Sequence, residues 1–251
     1  MSQRKILLTI AYDGTDYHGW QKQPGLRTIQ QTISDAASDL IGHKVHVHGA
    51  SRTDAGVHAL GQVGLIETCT AIPTENFVRA LNDRLPQDIA VLAASEPAWD
   101  FDLLGAVKKK LYRYCIHTGP IRPVLDIRFC WHLPSLLDVE AMNEAAKALI
   151  GRHDFKSFAS AKDTRKDTVR TIFRCDVYRG VGPRQDYVYI EVEGKSFLQN
   201  MVRNIVGTLV EVGLGKRRPE QIAQVLAAKD RTAAGQIAPA SGLCLMWIKY
   251  D

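Results

Sequence analysis

The segment from Gly49 to Gly61 constrains the fold more than any other part of this 251-residue chain. The residues on either side of it, Lys44–His48 and Gln62–Ile66, alternate polar and apolar side chains, which predicts two strands. The segment itself is rich in glycine, alanine and serine, whose small side chains let a backbone or a ligand come close. The sequence therefore predicts a loop of small residues between two strands.

One carboxylate stands in this loop. It belongs to Asp54, and the guanidinium of Arg52 lies two residues before it in the sequence. A nearby cation favours the ionised form of a carboxylate, and an ionised carboxylate can act as a nucleophile or a base. Aspartate and glycine are also ordinary turn residues, so the spacing alone is compatible with a simple turn.

The loop sequence GASRTDAGVHA, from Gly49 to Ala59, resembles the signature of the tRNA pseudouridine synthase A family. In that family the aspartate of this motif, here Asp54, is the essential residue. Further segments resemble the family in the same order along the chain: Tyr12–Thr15 with Gly19–Gln21, Tyr112–Tyr114, Arg152–Phe158, Val169–Ile172, Gly194–Leu209 and Ala238–Leu245. Where the family usually has Ala-Arg, after a segment like Trp99–Asp102, this chain has Leu103 and Leu104.

The resemblance implies an isomerase that converts uridine to pseudouridine at positions 38, 39 and 40 in the anticodon arm of tRNA. Such a reaction rejoins the same base to the same sugar, so no cofactor and no metal are expected. The resemblance places Tyr112 against the target base, which must leave its stack. Arg52 would fill the vacated space or hold a phosphate. A homodimer is also implied, with one tRNA touching both subunits.

Arg203 lies in an apolar, helix-like segment, and a buried guanidinium requires a partner. We expect that partner to be Asp54, which also agrees with the resemblance. Basic and aromatic residues alternate around Tyr112, a pattern equally typical of a nucleic-acid surface and of a half-buried edge strand.

The net charge of +5 is unevenly distributed. Residues 1–105 carry 8 basic and 12 acidic side chains, a balance of −4, whereas residues 106–251 carry 24 and 15, a balance of +9. A basic half indicates a polyanionic partner such as RNA. The basic stretch Ala159–Asp167 is predicted to be an exposed loop that could hold phosphate.

The five cysteines are scattered and form no Cys-x-x-Cys pair, so neither a disulfide framework nor a zinc ribbon is expected. His43, His46 and His48 have no acidic or cysteine cluster near them in sequence, and we interpret them as strand residues without a metal. No apolar run reaches the length of a membrane span, and a cytoplasmic location is expected.

The predicted fold class is α/β (α+β), with two ferredoxin-like-derived halves that share a mixed, mainly antiparallel sheet around a central basic cleft. The first half, 1–105, reads strand–helix–strand–strand–helix–strand, and the second, 106–251, repeats this order loosely. Five helices are predicted: Thr28–Ile41, Thr74–Leu85, Asp138–Ile150, Gly194–Leu209 and a short one at Pro219–Leu226, which has proline in its first turn. Thr28 and Thr74 are the expected N-caps of the first two.

Two other interpretations are compatible with parts of the sequence. One is a non-catalytic protein that binds structured RNA, in which Asp54 has no chemical role. The other is a hydrolase that uses Ser51, His58 and Asp54, although Ser51 and Asp54 are very close in sequence for a triad and the chain has no Gly-x-Ser-x-Gly elbow.

Overall fold

A computed structural model describes residues 3–250 and divides the chain into two compact units. The first unit contains the chain up to Lys108 together with the residues from Leu245 onward, and the second contains Lys109–Cys244. The predicted division into 1–105 and 106–251 places the last strand in the second half, whereas the structure places most of it in the first unit.

The first unit is built around a long antiparallel pair of strands. Strand β1 (Arg4–Tyr12) lies between β3 (His58–Thr68) and β4 (Ile89–Ser95), and the short strand β2 (Val47–Gly49) pairs with β3. The last strand, β10 (Leu243–Lys249), lies on the other side of β3. The strand that follows the small-residue loop therefore begins at His58, four residues earlier than predicted.

Two helices complete the first unit, α1 (Ile29–Ile41) and α2 (Thr74–Asn82). The side chain of Thr28 caps α1 by accepting from the Gln31 N–H, and Gly42 ends the helix in the left-handed region, as predicted. The predicted cap of α2 is wrong, since Thr74 is its first helical residue and its hydroxyl accepts from the Arg4 guanidinium. The helix also ends at Asn82 and not at Leu85.

The second unit contains the strand order β5-β9-β8-β7. Its strands are β5 (Lys109–His117), β6 (Trp131–His132), β7 (Gly151–Asp154), β8 (Val169–Arg179) and β9 (Tyr187–Gly194). All neighbouring pairs in that order are antiparallel, whereas β6 pairs with β5 in parallel, which makes the sheet mixed.

Three helices belong to the second unit: α3 (Val139–Lys147), α4 (Met201–Gly213) and α5 (Gln221–Ala228). The side chain of Asp138 caps α3. The helix predicted from Gly194 to Leu209 begins only at Met201, because Gly194 is the last residue of β9 and is paired with strand residues on both sides. A side chain at Gly194 would come within 2.8 Å of the Thr171 carbonyl oxygen, which explains the glycine.

The predicted fold class, α+β with a mixed and mainly antiparallel sheet, is confirmed. The order strand–helix–strand–strand–helix–strand predicted for the first half is also confirmed. The central basic cleft stays a prediction. Among residues 3–250 no helix is long and apolar enough to cross a membrane.

Candidate active site

The loop that carries Asp54 spans residues 50–57 and connects β2 to β3 in the first unit. The loop predicted from the small residues is therefore confirmed. Within it Thr53 is buried, Asp54 is half-buried and Arg52 is exposed. The structure thus places a partly exposed carboxylate directly after Thr53, which is buried.

The N-terminal side of the loop is held by a buried amide. The Ala50 N–H donates to the Val63 carbonyl at 2.9 Å, which continues the pairing of β2 with β3 by one residue. At Ser51 the backbone bonds are replaced by the Gln62 side chain, whose Oε1 accepts from the Ser51 N–H at 3.2 Å and whose Nε2 donates to the Ser51 carbonyl at 2.7 Å. Gln62 is completely buried.

A second side chain reaches the residue directly before Asp54. The Tyr12 hydroxyl lies 2.8 Å from the Thr53 hydroxyl and 3.4 Å from Gln62 Nε2. Tyr12 is the last residue of β1, and its ring packs near the Trp20 indole with 6.2 Å between centroids. Since both hydroxyls are buried, the contact fixes the backbone at Thr53.

The loop between β1 and α1 contacts the Asp54 loop through backbone hydrogen bonds. The Trp20 N–H donates to the Thr53 carbonyl at 3.1 Å, and the Gly56 N–H donates to the Tyr17 carbonyl at 3.3 Å. The Val57 N–H closes a turn by donating to the Asp54 carbonyl at 3.2 Å. The backbone is therefore bonded on both sides of Asp54.

Two glycines permit this packing because a side chain at either one would overlap a neighbour. A Cβ at Gly14 would lie 2.0 Å from the Val57 carbonyl oxygen, and one at Gly49 would lie 2.3 Å from the Trp20 indole. The first of these neighbours is backbone, which cannot rotate away. The need for glycine at both positions follows from the packing and was not predicted individually.

The histidine of the motif is buried behind the loop. His58 is 4% exposed, and its Nδ1 lies 3.1 Å from Asp13 Oδ1 and 3.1 Å from the Gly14 nitrogen. This nitrogen is thus engaged by the end of β1 and the turn that follows it. Such an environment is typical of a structural histidine and gives no support to a triad of Ser51, His58 and Asp54.

In the second unit, Tyr112 lies on β5 opposite Val192 of β9 and is 6% exposed. Its ring meets Phe197 edge-on, with 5.2 Å between centroids and 87° between planes. Burial lowers the pKa of Lys110, two residues earlier on the same strand, to about 8. Alternation along the strand places these two side chains on the same face of the sheet.

Arg113 is directed away from Tyr112 and binds an acid. Its Nε and Nη2 donate to Glu191 Oε1 at 2.8 and 2.6 Å, and the other oxygen of Glu191 accepts from Arg174 at 2.9 Å. Burial raises the pKa of Glu191, but the hydrogen bonds and charge of Arg113 outweigh this effect, so the pKa is lowered overall. The arginine in the basic and aromatic pattern therefore belongs to an ion-pair cluster within the sheet.

Arg203 lies on the first turn of α4 and is half-buried. Its Nε donates to the Ala238 carbonyl at 2.8 Å, and its Nη1 lies 3.4 Å from Asn200 Oδ1. Both contacts are within the second unit, and they orient the guanidinium. The predicted pairing of Arg203 with Asp54 stays a prediction.

In the basic stretch Ala159–Asp167, which is predicted to bind phosphate, one of the basic side chains is already bound to an acid of the same stretch. Arg165 donates to both oxygens of Asp163, whose side chain is only 4% exposed. The hydrogen bonds from Arg165 are the largest of the effects that lower the pKa of Asp163 to about 2. Lys162 and Lys166 in the same stretch are exposed.

Sequence reasoning did not identify Gln62, Tyr12 or Trp20 as supports of the Asp54 loop. The only sequence signal was a glutamine, Gln62, within a predicted strand. The structure shows that this position is buried. Regarding metals, no group of three or more His, Cys, Asp or Glu side chains within residues 3–250 could hold an ion, and His43, His46 and His48 are exposed.

Comparison with known proteins identifies close relatives over the whole chain. A family model described as tRNA pseudouridine synthase matches residues 8–103 and 145–251. The tRNA pseudouridine synthase A of Acetivibrio thermocellus is 44% identical over 247 residues, covering 98% of this chain and 100% of the relative. The protein of that name from Thermoanaerobacter sp. (strain X514) is 41% identical over 247 residues, with the same coverage of 98% and 100%.

Among solved structures, the chain is similar to one in the crystal structure of a Cbf5-Nop10-Gar1 complex. That similarity has a TM-score of 0.33 and 11% sequence identity, and it covers 95% of this chain and 57% of the other. It is too distant to support an argument about the site.

Proposed function

Because the chain belongs to the tRNA pseudouridine synthase family, we propose that Asp54 is the carboxylate with which this enzyme isomerises uridine to pseudouridine in tRNA. The reaction breaks the N1–C1′ bond and forms a C5–C1′ bond. The hydrogen at C5 leaves to solvent as a proton, and N1 gains one. The observation that carries the proposal is the fixed backbone on both sides of a half-buried carboxylate.

Three chemical roles are compatible with Asp54: attack on C1′, attack on C6, or removal of the C2′ proton. Each requires the carboxylate to be ionised and correctly aimed. Arg52, exposed on the same loop, is proposed to fill the space left by the flipped base or to hold a phosphate. Tyr112 is proposed to contact the target base, and Arg203 to pair with Asp54.

We propose the anticodon arm, at positions 38, 39 and 40, as the substrate region. The specific positions rest on the family resemblance of the motifs, whereas RNA as a partner is also supported by the +9 balance of residues 106–251. The enzyme's family membership argues against the alternative of a non-catalytic RNA-binding protein. The cytoplasmic location stays a prediction.

A homodimer is proposed from the surface of the second unit. Several large apolar side chains there are strongly exposed: Ile121 (79%), Val124 (72%), Leu125 (92%), Leu136 (89%) and Val181 (84%). Strongly exposed apolar side chains are enriched in protein–protein interfaces, and a second copy of the chain is the partner proposed here. Changing Leu125 and Leu136 to Asp should give a monomer by analytical ultracentrifugation, and an unchanged mass would place the interface elsewhere.

The central experiment measures tritium release from tRNA labelled at C5 of uridine. Asp54→Asn keeps the shape of the side chain and removes its charge, so we expect release to fall at least about 1,000-fold. Binding of tRNA should stay within about threefold of wild type, because the loop contacts are unchanged. Asp83→Asn, at an exposed aspartate of the same unit, is the matched control.

Two outcomes would contradict the proposal. Release by Asp54→Asn at the wild-type rate would exclude this carboxylate, and equal losses of release and binding would mean that the substitution damaged the tRNA site. Transcripts with a single labelled uridine at position 38, 39 or 40 then test the substrate region, since release from none of them would exclude it.

A further inference from the structure

We infer that Gln62, acting with Tyr12, is a positioning residue for the reaction, because it fixes the backbone that presents Asp54. The inference rests on the proposed function of Asp54. Gln62 is not a catalytic residue, since its amide is completely buried and contacts the loop and not the exposed surface of the carboxylate.

The register of the sheet explains why a side chain is needed at this point. Strand β2 pairs Val47 with Ile66 and Gly49 with Gly64, and the pairing continues from Ala50 to Val63. The next pair in this register would be Ser51 with Gln62. Here the loop departs from the strand, and the Gln62 amide makes with Ser51 the two hydrogen bonds that a neighbouring strand would make.

The amide can take only one orientation in this environment. Its Oε1 receives the N–H groups of Ser51 (3.2 Å) and Val63 (3.1 Å), whereas its Nε2 faces the Ser51 carbonyl and the Tyr12 hydroxyl. Two donors thus meet the carbonyl oxygen and two oxygens meet the amino group. A carboxylate of the same shape would satisfy the first pair and repel the Ser51 carbonyl.

The contact continues from Gln62 to the residue before Asp54. The Tyr12 hydroxyl lies 3.4 Å from Gln62 Nε2 and 2.8 Å from the Thr53 hydroxyl. Residues 51 and 53 are therefore held by one buried network, and only the exposed Arg52 lies between them. A loop fixed at these two points cannot easily shift the carboxylate that follows.

The consequence for catalysis is a specific loss of rate. A displacement of about 1 Å at a reacting group can reduce turnover about 100-fold without changing the residues that bind substrate. Loss of the network should therefore reduce the rate of the chemical step and leave tRNA affinity nearly constant. A residue with only a structural role would instead reduce thermal stability without this separation.

The experiment compares Gln62→Glu with Asn82→Asp in single-turnover tritium release. Asn82 brackets the backbone of Val91 in the same way, with Nδ2 donating to the Val91 carbonyl at 2.9 Å and Oδ1 accepting from its N–H at 2.8 Å. Both changes replace one amide by a carboxyl in the first unit. Thermal unfolding of each variant measures its loss of stability. Rates are then compared at a temperature at which both variants are fully folded.

We expect Gln62→Glu to slow single turnover about 30- to 100-fold, with the tRNA Kd within about threefold of wild type. Asn82→Asp should keep the wild-type rate. Tyr12→Phe keeps the ring and removes one hydroxyl, and it should slow turnover about 5- to 10-fold. Because the two residues act on one loop, the double variant should lose less than the product of the single losses.

The inference is overturned if Gln62→Glu and Tyr12→Phe both keep rates within threefold of wild type, or if Asn82→Asp slows turnover as much as Gln62→Glu does. Should Gln62→Glu fail to fold, Tyr12→Phe alone decides the matter, and a rate within threefold of wild type then overturns the inference. Asp54→Asn, measured in parallel, separates the two proposals: wild-type turnover by that variant removes both, whereas its inactivity beside an active Gln62→Glu removes only the positioning role.

Discussion

The Asp54 loop and the Glu191 cluster both hold an acidic side chain in a fixed place, but they do so by opposite means. Around Asp54 the backbone is fixed by neutral groups, namely the Gln62 amide, the Tyr12 hydroxyl and backbone N–H groups. Around Glu191 the carboxylate itself is fixed, by the guanidinium groups of Arg113 and Arg174.

The difference separates positioning from neutralisation. Glu191 is 6% exposed, and its two arginines compensate its charge at short distance, so the cluster stabilises the sheet and presents little reactive charge. In the Asp54 loop the groups that fix the backbone at residues 51 and 53 carry no charge, so they position the carboxylate and leave its pairing, proposed with Arg203, to a separate contact. We therefore expect changes in the first region to reduce turnover and changes in the second to reduce stability.

The largest effect on turnover outside Asp54 itself is expected at Gly14. A methyl group there would lie 2.0 Å from the Val57 carbonyl, and Val57 in turn bonds Asp54, so Gly14→Ala must move the loop. We expect release of tritium to fall about 100-fold. Gly25→Ala is the control, since no atom lies within 4 Å of a Cβ there, and its φ of +72° costs only about 1 kcal/mol. Similar activity of the two variants would show that the loop tolerates displacement.

The next effect tests the Glu191 cluster. Glu191→Ala leaves Arg113 and Arg174 without this acid. Because both arginines are more than a third exposed, we expect the free energy of unfolding to fall by about 2 kcal/mol in urea titrations, less than for a fully buried pair. Tritium release at 25 °C should be unchanged. Glu193→Ala, which removes the ion pair with Lys109, should cost less than about 1 kcal/mol. If Glu191→Ala lost activity while keeping wild-type stability, the Glu191 cluster would have a role in turnover, and the distinction drawn here would be wrong.

A smaller effect concerns tRNA binding by the basic stretch. Because Arg165 is bound to Asp163, we expect Lys162→Ala and Lys166→Ala each to reduce the salt slope of tRNA binding by about 1, and Arg165→Ala to reduce it less. Binding titrations at several salt concentrations measure this slope. Equal slopes for wild type and both lysine variants would remove this stretch from the RNA-binding surface.

The smallest effect is a pH dependence of stability. The pKa of Asp163 is lowered from 3.8 to about 2, so its ion pair contributes stability above pH 3.8, and that contribution disappears as the pH falls toward 2. Asp163→Asn should therefore flatten the dependence of the urea midpoint on pH in this range. Asp167→Asn, whose side chain is 79% exposed, should leave that dependence as in wild type. An unchanged dependence in Asp163→Asn would exclude the ion pair as its source.

Several local features followed directly from the sequence. Thr28 and Gly42 bound helix α1 as predicted, because a cap and a left-handed glycine act over a few residues. Alternation around Tyr112 indicated which side chains share a face, since a strand has a period of two. The predictions at Thr74 and Gly194 were wrong because partners distant in sequence, Arg4 and the strands beside β9, decide the local structure there.

The sequence by itself determined the family, the α+β class and the loop that carries Asp54, because motifs and periodic patterns are written along neighbouring residues. Only the tertiary structure decided which side chains fix that loop and which arginines are already bound to acids. Gln62 meets Ser51, and Glu191 meets Arg113, through strand registers that join residues 11 and 78 positions apart. A hydrogen bond depends on distance and direction in space, and the order of residues specifies neither until the sheet has formed.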